Sequence, residues 1–472
     1  MLVRRALLFS AVFACLAVAA PANSWAGGFT YYVNPAGSDA NPGTVDAPWR
    51  TVARVNAAAL QPGDRVLFSA GARFTDTALI PRTSGAPGNP ISFGSYGNGH
   101  AVLAAAGGND VWLPPGSHDF TFANLDFTGN GILFASAAEG PGVSDVTIAD
   151  SSFSDTPQTA INVSTHADHD WTITRSSFTH IGDSGLIVWG ANVSITHCTI
   201  ADTGWNDAIS WGKHGIYDKG PDTTIAFNDI SHSAGGQALS LRYHGARVYG
   251  NRVHDTPYAV GFFDDDLASG PQGTDLVYDN RFWNISGWAF YYSRETDPQG
   301  ALPSVSFVVA SNTFDLSRAI EAVNVSEVPS TAGVTLANNV FTGSYTSAYR
   351  GCASCRESNN DWFGGTENIP HGAGDLYVNP SLAAAPTLTP TGRSPIVDAG
   401  TKVLRGVSYV FGCKAAALHY CGAAPDLGAV ESVAGSPAPH VPSPPARPLR
   451  QLTGVPPERH PIRHRRRAAA HR

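Results

Sequence analysis

The chain has 472 residues with 30 Lys and Arg against 38 Asp and Glu, a formal net charge of −8. That length holds a large core or two to three ordinary domains, unless a repeat architecture makes it one. Charged residues are sparse and Gly numbers 49, which suits a β-rich protein with tight turns and argues against a helical bundle. From Gly435 onward there are eight Arg and one acid, Glu458; without that tail and Arg4 and Arg5, the body carries 20 basic and 37 acidic residues. An acidic body argues against nucleic acid as a partner. It also repels anionic polysaccharide at long range, so an anionic substrate requires a local basic site or a bound cation.

In chain order, residues 1–26 read as a signal peptide: Arg4 and Arg5, then an apolar run from Ala6 to Ala20, with cleavage near Ala26. No later run is long enough to span a bilayer. The expectation is an exported, secreted or periplasmic protein without a membrane span. Residues 27–110 form an N-terminal cap and first coils, including a short amphipathic helix around Trp49 to Leu60. Residues 111–345 carry the repeat, and 346–434 the last coils and closing segment. Residues 435–472 are a Pro/Arg-rich disordered tail. Cys352/Cys355 and Cys413/Cys421 read as two local disulfides in an oxidising compartment, leaving Cys198 a buried free thiol.

The repeat has the form Asn-x-apolar: Asn228-Asp-Ile, Asn251-Arg-Val, Asn280-Arg-Phe, Asn312-Thr-Phe and Asn339-Val-Phe, preceded by weaker copies such as Ser151-Ser-Phe, Ser176-Ser-Phe and Cys198-Thr-Ile. Its third positions, from Phe127 to Phe341, recur every 22 to 32 residues, the length of one coil of a parallel β-solenoid. Each motif follows one short β-run (VTIAD, WTITR, VSITH) and precedes another (AINVS, GLIVW, GIYDK, ALSLR). Asn suits a sharp turn, where its amide can bond the Asn of the next coil.

These motifs resemble the right-handed parallel β-helix of the pectate-lyase-like superfamily. The segments YYVNPAGSDANPGTVDAPWRTVARVNAAALQPGDRVLFSAG, VNPSL, SPIVDAG and PDLGAVE resemble its entry and closing segments. The expected fold class is all-β: a single-stranded right-handed parallel β-helix of about nine coils, with an N-terminal capping helix.

Strand alternation sorts the second β-run of each coil. Ile132, Ile161, Leu186, Ile216, Leu239, Val260, Phe290 and Ile320 are expected inside, followed by Phe134, Val163, Val188, Asp218, Leu241, Phe262, Tyr292 and Ala322. Asp218 is the exception, a carboxylate that needs His214 or backbone donors. One outward column includes Tyr217 and Tyr291. The next reads Trp189, Lys219, Arg242, Phe263, with the two cations on successive coils. Aromatic faces suit a pyranose and cations suit its carboxylate, so His214, His244 and Arg294 join these residues as candidate substrate contacts.

Uronate polymers are cleaved by β-elimination, in which a base removes the proton beside the carboxylate and a positive group stabilises the resulting anion. Lys219 beside Arg242 suits this, because like charge disfavours the protonated amine. The run YDKG followed by SLRYHGARVYGN resembles polysaccharide lyase family six, the alginate lyase and chondroitinase B family. That resemblance implies Lys219 as base and Arg242 as acid. Tyr243 interrupts the family's Arg-His-Gly, and acids that would bind calcium before Lys219 are not evident. No cofactor is required by the sequence; Asp264, Asp265 and Asp266 are the candidate ligands if Ca2+ takes part. The competing readings are a solvated face for Lys219 and Arg242, a polar turn for Asp264–Asp266, a glycoside hydrolase using those carboxylates, and a non-catalytic glycan-binding or adhesive solenoid. The expected partner is an acidic polysaccharide and the expected state a monomer.

Overall fold

A computed structural model describes residues 28–206, 213–242, 245–263, 273–294, 306–328, 333–391, 394–404, 407–411 and 418–432. The signal segment 1–26, the tail 435–472, His244, Asp264–Asp266, Trp211 and Cys413 lie outside the described residues.

The chain winds into an all-β parallel solenoid of about nine turns. One 13-stranded sheet takes the first strand of each coil, and a 19-stranded sheet takes the other two. From Arg252–Phe263 onward those two run on as single long strands. Register is regular along the stack: Ile148 lies beside Ile173, Ile173 beside Ile195, Ile195 beside Ile225, and Ile225 beside Val248. The third positions of the repeat are fully buried and stack face to face, with ring centroids 4.9 Å apart for Phe153–Phe178, 4.4 Å for Phe282–Phe314 and 4.7 Å for Phe314–Phe341.

The repeated Asn side chains form a continuous ladder. Asn228 Nδ2 donates to Asn251 Oδ1 at 3.0 Å, Asn251 to Asn280 at 2.9 Å, and Asn280 to Asn312 and Asn312 to Asn339 at 3.0 Å each. Asn339 donates in turn to Asn360, a sixth rung whose Asn-Asp-Trp repeats the motif and stacks Trp362 on Phe341 at 4.4 Å. The left-handed backbone of the turn belongs to the preceding residue: Phe227 (φ 58°), Asp279 (54°), Ser311 (51°) and Asn338 (57°). Asn is therefore selected by its amide. In the earlier coils hydroxyls substitute, as where Ser151 N–H donates to Ser176 Oγ at 3.3 Å.

The helix is shorter than expected, Val52–Asn56, with Thr51 as N-cap accepting from Arg54 N–H at 3.1 Å. Trp49 bridges to strand residue Val33 instead of joining it. Trp49, Val52, Val55 and Leu60 nevertheless all enter the main core. Two positions depart from the expected columns. Phe134, not Ile132, lies beside Ile161. At the far end Val323, not Ile320, lies beside Phe290, because irregular register between Trp283 and Trp288 shifts the strand and leaves Ile320 56% exposed. Cys352 and Cys355 form a disulfide, Cys421 is disulfide-bonded, and Cys198 is a buried free thiol. Among the described residues no helix is long and apolar enough to cross a membrane.

Candidate functional site

The site begins with the strand Ile216–Asp218, whose central residue points outward. Ile187, Tyr217, Ser240, Gly261 and Tyr291 follow one another in register on successive coils. Two residues further along, Lys219 and Arg242 flank the Tyr217 ring. Lys219 Nζ lies 4.8 Å and Arg242 Cζ 4.9 Å from its centroid. Beyond them, Lys219 Nζ lies 4.4 Å from the Trp189 ring and Arg242 Cζ 4.4 Å from the Phe263 ring. The result is a continuous row of rings and cations, Trp189–Lys219–Tyr217–Arg242–Phe263.

Neither cation is solvated: Lys219 is 6% and Arg242 4% exposed. That overturns the reading of this pair as a solvated face. Cation–π contacts of this length are worth most where water is excluded, about 2 kcal/mol each. Arg242 is oriented further by three donations, to Tyr217 Oη at 3.1 Å, Ser240 Oγ at 3.0 Å and Leu241 O at 3.2 Å.

His214 packs against Tyr217, ring centroids 4.7 Å apart, and its Nδ1 accepts the Gln237 N–H at 3.2 Å. Burial, then the Arg242 charge, hold its pKa down at about 3, so the ring is neutral over the working range. Asp218 does not use His214. Its Oδ1 accepts from Thr223 Oγ1 at 2.8 Å and Gly220 N–H at 3.3 Å, and burial raises its pKa to about 8. It faces the core, away from the row.

Strict alternation misses a second set of contacts. Gln237, Tyr258 and Trp288 share a register position just before the outward column. Yet Gln237 Nε2 donates to Tyr291 Oη and Trp288 packs on Tyr291 with centroids 5.4 Å apart, so they reach the same face. The following residues, Ala238, Ala259 and Ala289, are small and fully buried, which lets the strand turn its corner there. That run of small residues is the sequence signal for the extra wall. His166 likewise packs edge-on against Trp189 at 5.2 Å.

Gly261 is required by this crowding. A Cβ there would lie 2.8 Å from the Phe263 ring and 2.9 Å from Gln237 Cγ. Arg294 is exposed and its N–H bonds Glu327 Oε2 at 3.4 Å; no described contact joins it to the row. Trp205 stacks on His180 at 4.8 Å, on the strand before the corner. Among the described residues no three His, Cys, Asp or Glu are grouped to hold a metal ion.

Residues 130–266 match the family model of the right handed beta helix region, a span that takes in Trp189, Lys219, Arg242 and Phe263. Together with the coil topology, this makes the chain a right-handed parallel β-helix protein. A search of curated proteins found no match. Among solved structures, the chain is similar to the pectate lyase Pel9A at 15% identity, covering 86% of this chain and 97% of that one, with a TM-score of 0.47. It is similar to XylC, solved with xylose, at 11% identity over 72% and 76% of the two chains, with a TM-score of 0.46. A Family 28 exopolygalacturonase of Yersinia enterocolitica gives 12% identity over 75% and 78%, with a TM-score of 0.46.

Proposed function

We propose that the protein is an exported, monomeric carbohydrate-active enzyme that cleaves a uronic-acid polymer by β-elimination. One observation carries the reading: two buried cations on adjacent coils converge on one outward tyrosine inside an aromatic row. The rings of Trp189 and Phe263 supply apolar surface for a pyranose, and Arg242 supplies a planar fork for its carboxylate. Lys219, in its neutral form, takes the proton from the carbon beside that carboxylate. The carboxylate then carries anionic charge that Arg242 stabilises in a water-poor site, where fixed charges act most strongly. Asp264–Asp266, which lie outside the described residues, are the residues proposed to hold Ca2+, which would neutralise further carboxylates of the polymer.

A screen of alginate, pectate and glycosaminoglycans, with and without Ca2+, tests the reading. Elimination leaves a double bond that absorbs in the ultraviolet. New reducing ends without that absorbance would assign the protein to hydrolysis instead, and binding without cleavage would assign it to a non-catalytic solenoid.

A further inference from the structure

Resting on the elimination reading, we propose that Tyr217 is the acid that protonates the departing glycosidic oxygen. Elimination needs a proton donor as well as a base, and the chemistry of the row narrows the choice. A guanidinium is too weak an acid for the task, and Arg242 has the uronate carboxylate to hold. His214 is neutral, with Nδ1 occupied by the Gln237 N–H. Asp218 is buried and faces the core, where its Oδ1 accepts from Thr223 Oγ1 and Gly220 N–H. Tyr291 lies three coil steps along the column, about 14 Å away at the usual strand spacing. Among the described residues, Tyr217 is the acidic hydroxyl beside both cations.

Its surroundings fit the role. Arg242 Nη2 donates to Tyr217 Oη at 3.1 Å, so a phenolate formed there is met by a charged hydrogen bond. Lys219 Nζ, at 4.8 Å from the ring, is the other half of the proton economy.

The step balances without water or a co-reactant. The C5–H bond of the uronate breaks and its proton goes to Lys219 Nζ. The electron pair left at C5 becomes the C4=C5 double bond as the C4–O bond breaks. The leaving oxygen keeps that bonding pair and takes the phenolic proton of Tyr217. Proton return from the Lys219 ammonium to the Tyr217 phenolate restores both groups.

Tyr217→Phe keeps the ring that both cations touch and removes only the hydroxyl. The test incubates wild type and Tyr217→Phe in D2O with the polymer that wild type cleaves, recording unsaturated product and deuterium at C5 of recovered substrate. The expected result is a kcat lower by about 10²–10⁴, the usual worth of general acid catalysis, with deuterium still entering C5 because Lys219 and Arg242 remain. Cleavage at the wild-type rate would overturn the proposal. Loss of both cleavage and exchange would overturn it too, since a donor to the leaving oxygen is not needed for the C5 step. Absence of unsaturated product from wild type would instead defeat the elimination reading on which the proposal rests.

Discussion

Lys219 and Arg242 are neighbours through a shared ring. The Nζ of one and the Cζ of the other lie 4.8 and 4.9 Å from the centroid of Tyr217, and each is capped beyond by a second aromatic, Trp189 or Phe263. The negative ring faces favour each cation where it lies.

That arrangement makes Gly261 a test of geometry apart from chemistry. A methyl there collides with Phe263 and Gln237 and displaces the ring that covers Arg242. Gly261→Ala is expected to lower kcat/KM by about 100-fold, the scale of a 1 Å misplacement, while circular dichroism stays unchanged. Wild-type kinetics in that variant would show that Phe263 has no part in positioning Arg242.

The Asn ladder is expected to carry stability and no chemistry. Asn280→Ala removes one rung and strands the buried amide of Asn251, which bonds Asn280 Oδ1 by both N–H and Nδ2. The expected cost is about 1–3 kcal/mol in denaturant unfolding, with kcat of the surviving folded fraction unaltered. A loss below about 0.5 kcal/mol would mean that the ladder adds little beyond the strands.

Stability should fall as pH rises through neutrality. Burial raises Asp218 and Glu431 to about 8 and Asp110, Asp279 and Asp361 to about 7. Groups raised in the folded state contribute stability that is complete below the ordinary carboxylate range and is lost as pH climbs to 7–8. His214, lowered to about 3, acts oppositely: its contribution is complete above its ordinary pKa near 6.5 and fades on acidification. Five acids outweigh one histidine, so calorimetry is expected to give a higher Tm at pH 5.5 than at pH 8. A Tm that rises between those values would contradict this.

Core stacking offers a larger effect. Phe282 is fully buried and lies flat against Phe314 at 4.4 Å. Phe282→Ala is expected to destabilise by about 3–5 kcal/mol, visible as a shift of the urea midpoint. A loss near 1 kcal/mol would imply that the coil collapses onto the vacancy.

Much of this was legible in the sequence because a solenoid repeats its physics. The Asn and Phe positions recur with one environment per coil, so their spacing disclosed the strands, the turn and the Lys219–Arg242 column. Three features escaped for local reasons. The shifted register around Ile285 moved Ile320 outward, which a period-two count cannot anticipate. The corner at Ala238, Ala259 and Ala289 brings Gln237 and Trp288 beside Tyr291, against simple alternation. The bond from Arg242 to Tyr217 depends on side-chain length across two coils, which the residue pattern does not encode.

The central claim is that Lys219 and Arg242 perform chemistry together on a uronate. The most direct measurement is the initial rate of ultraviolet-absorbing product from the preferred polymer for wild type, Lys219→Ala and Arg242→Ala, each verified as folded by its melting curve. The account predicts that each variant loses at least about 100-fold in kcat. Unsaturated product formed at wild-type rate by folded Lys219→Ala would contradict it.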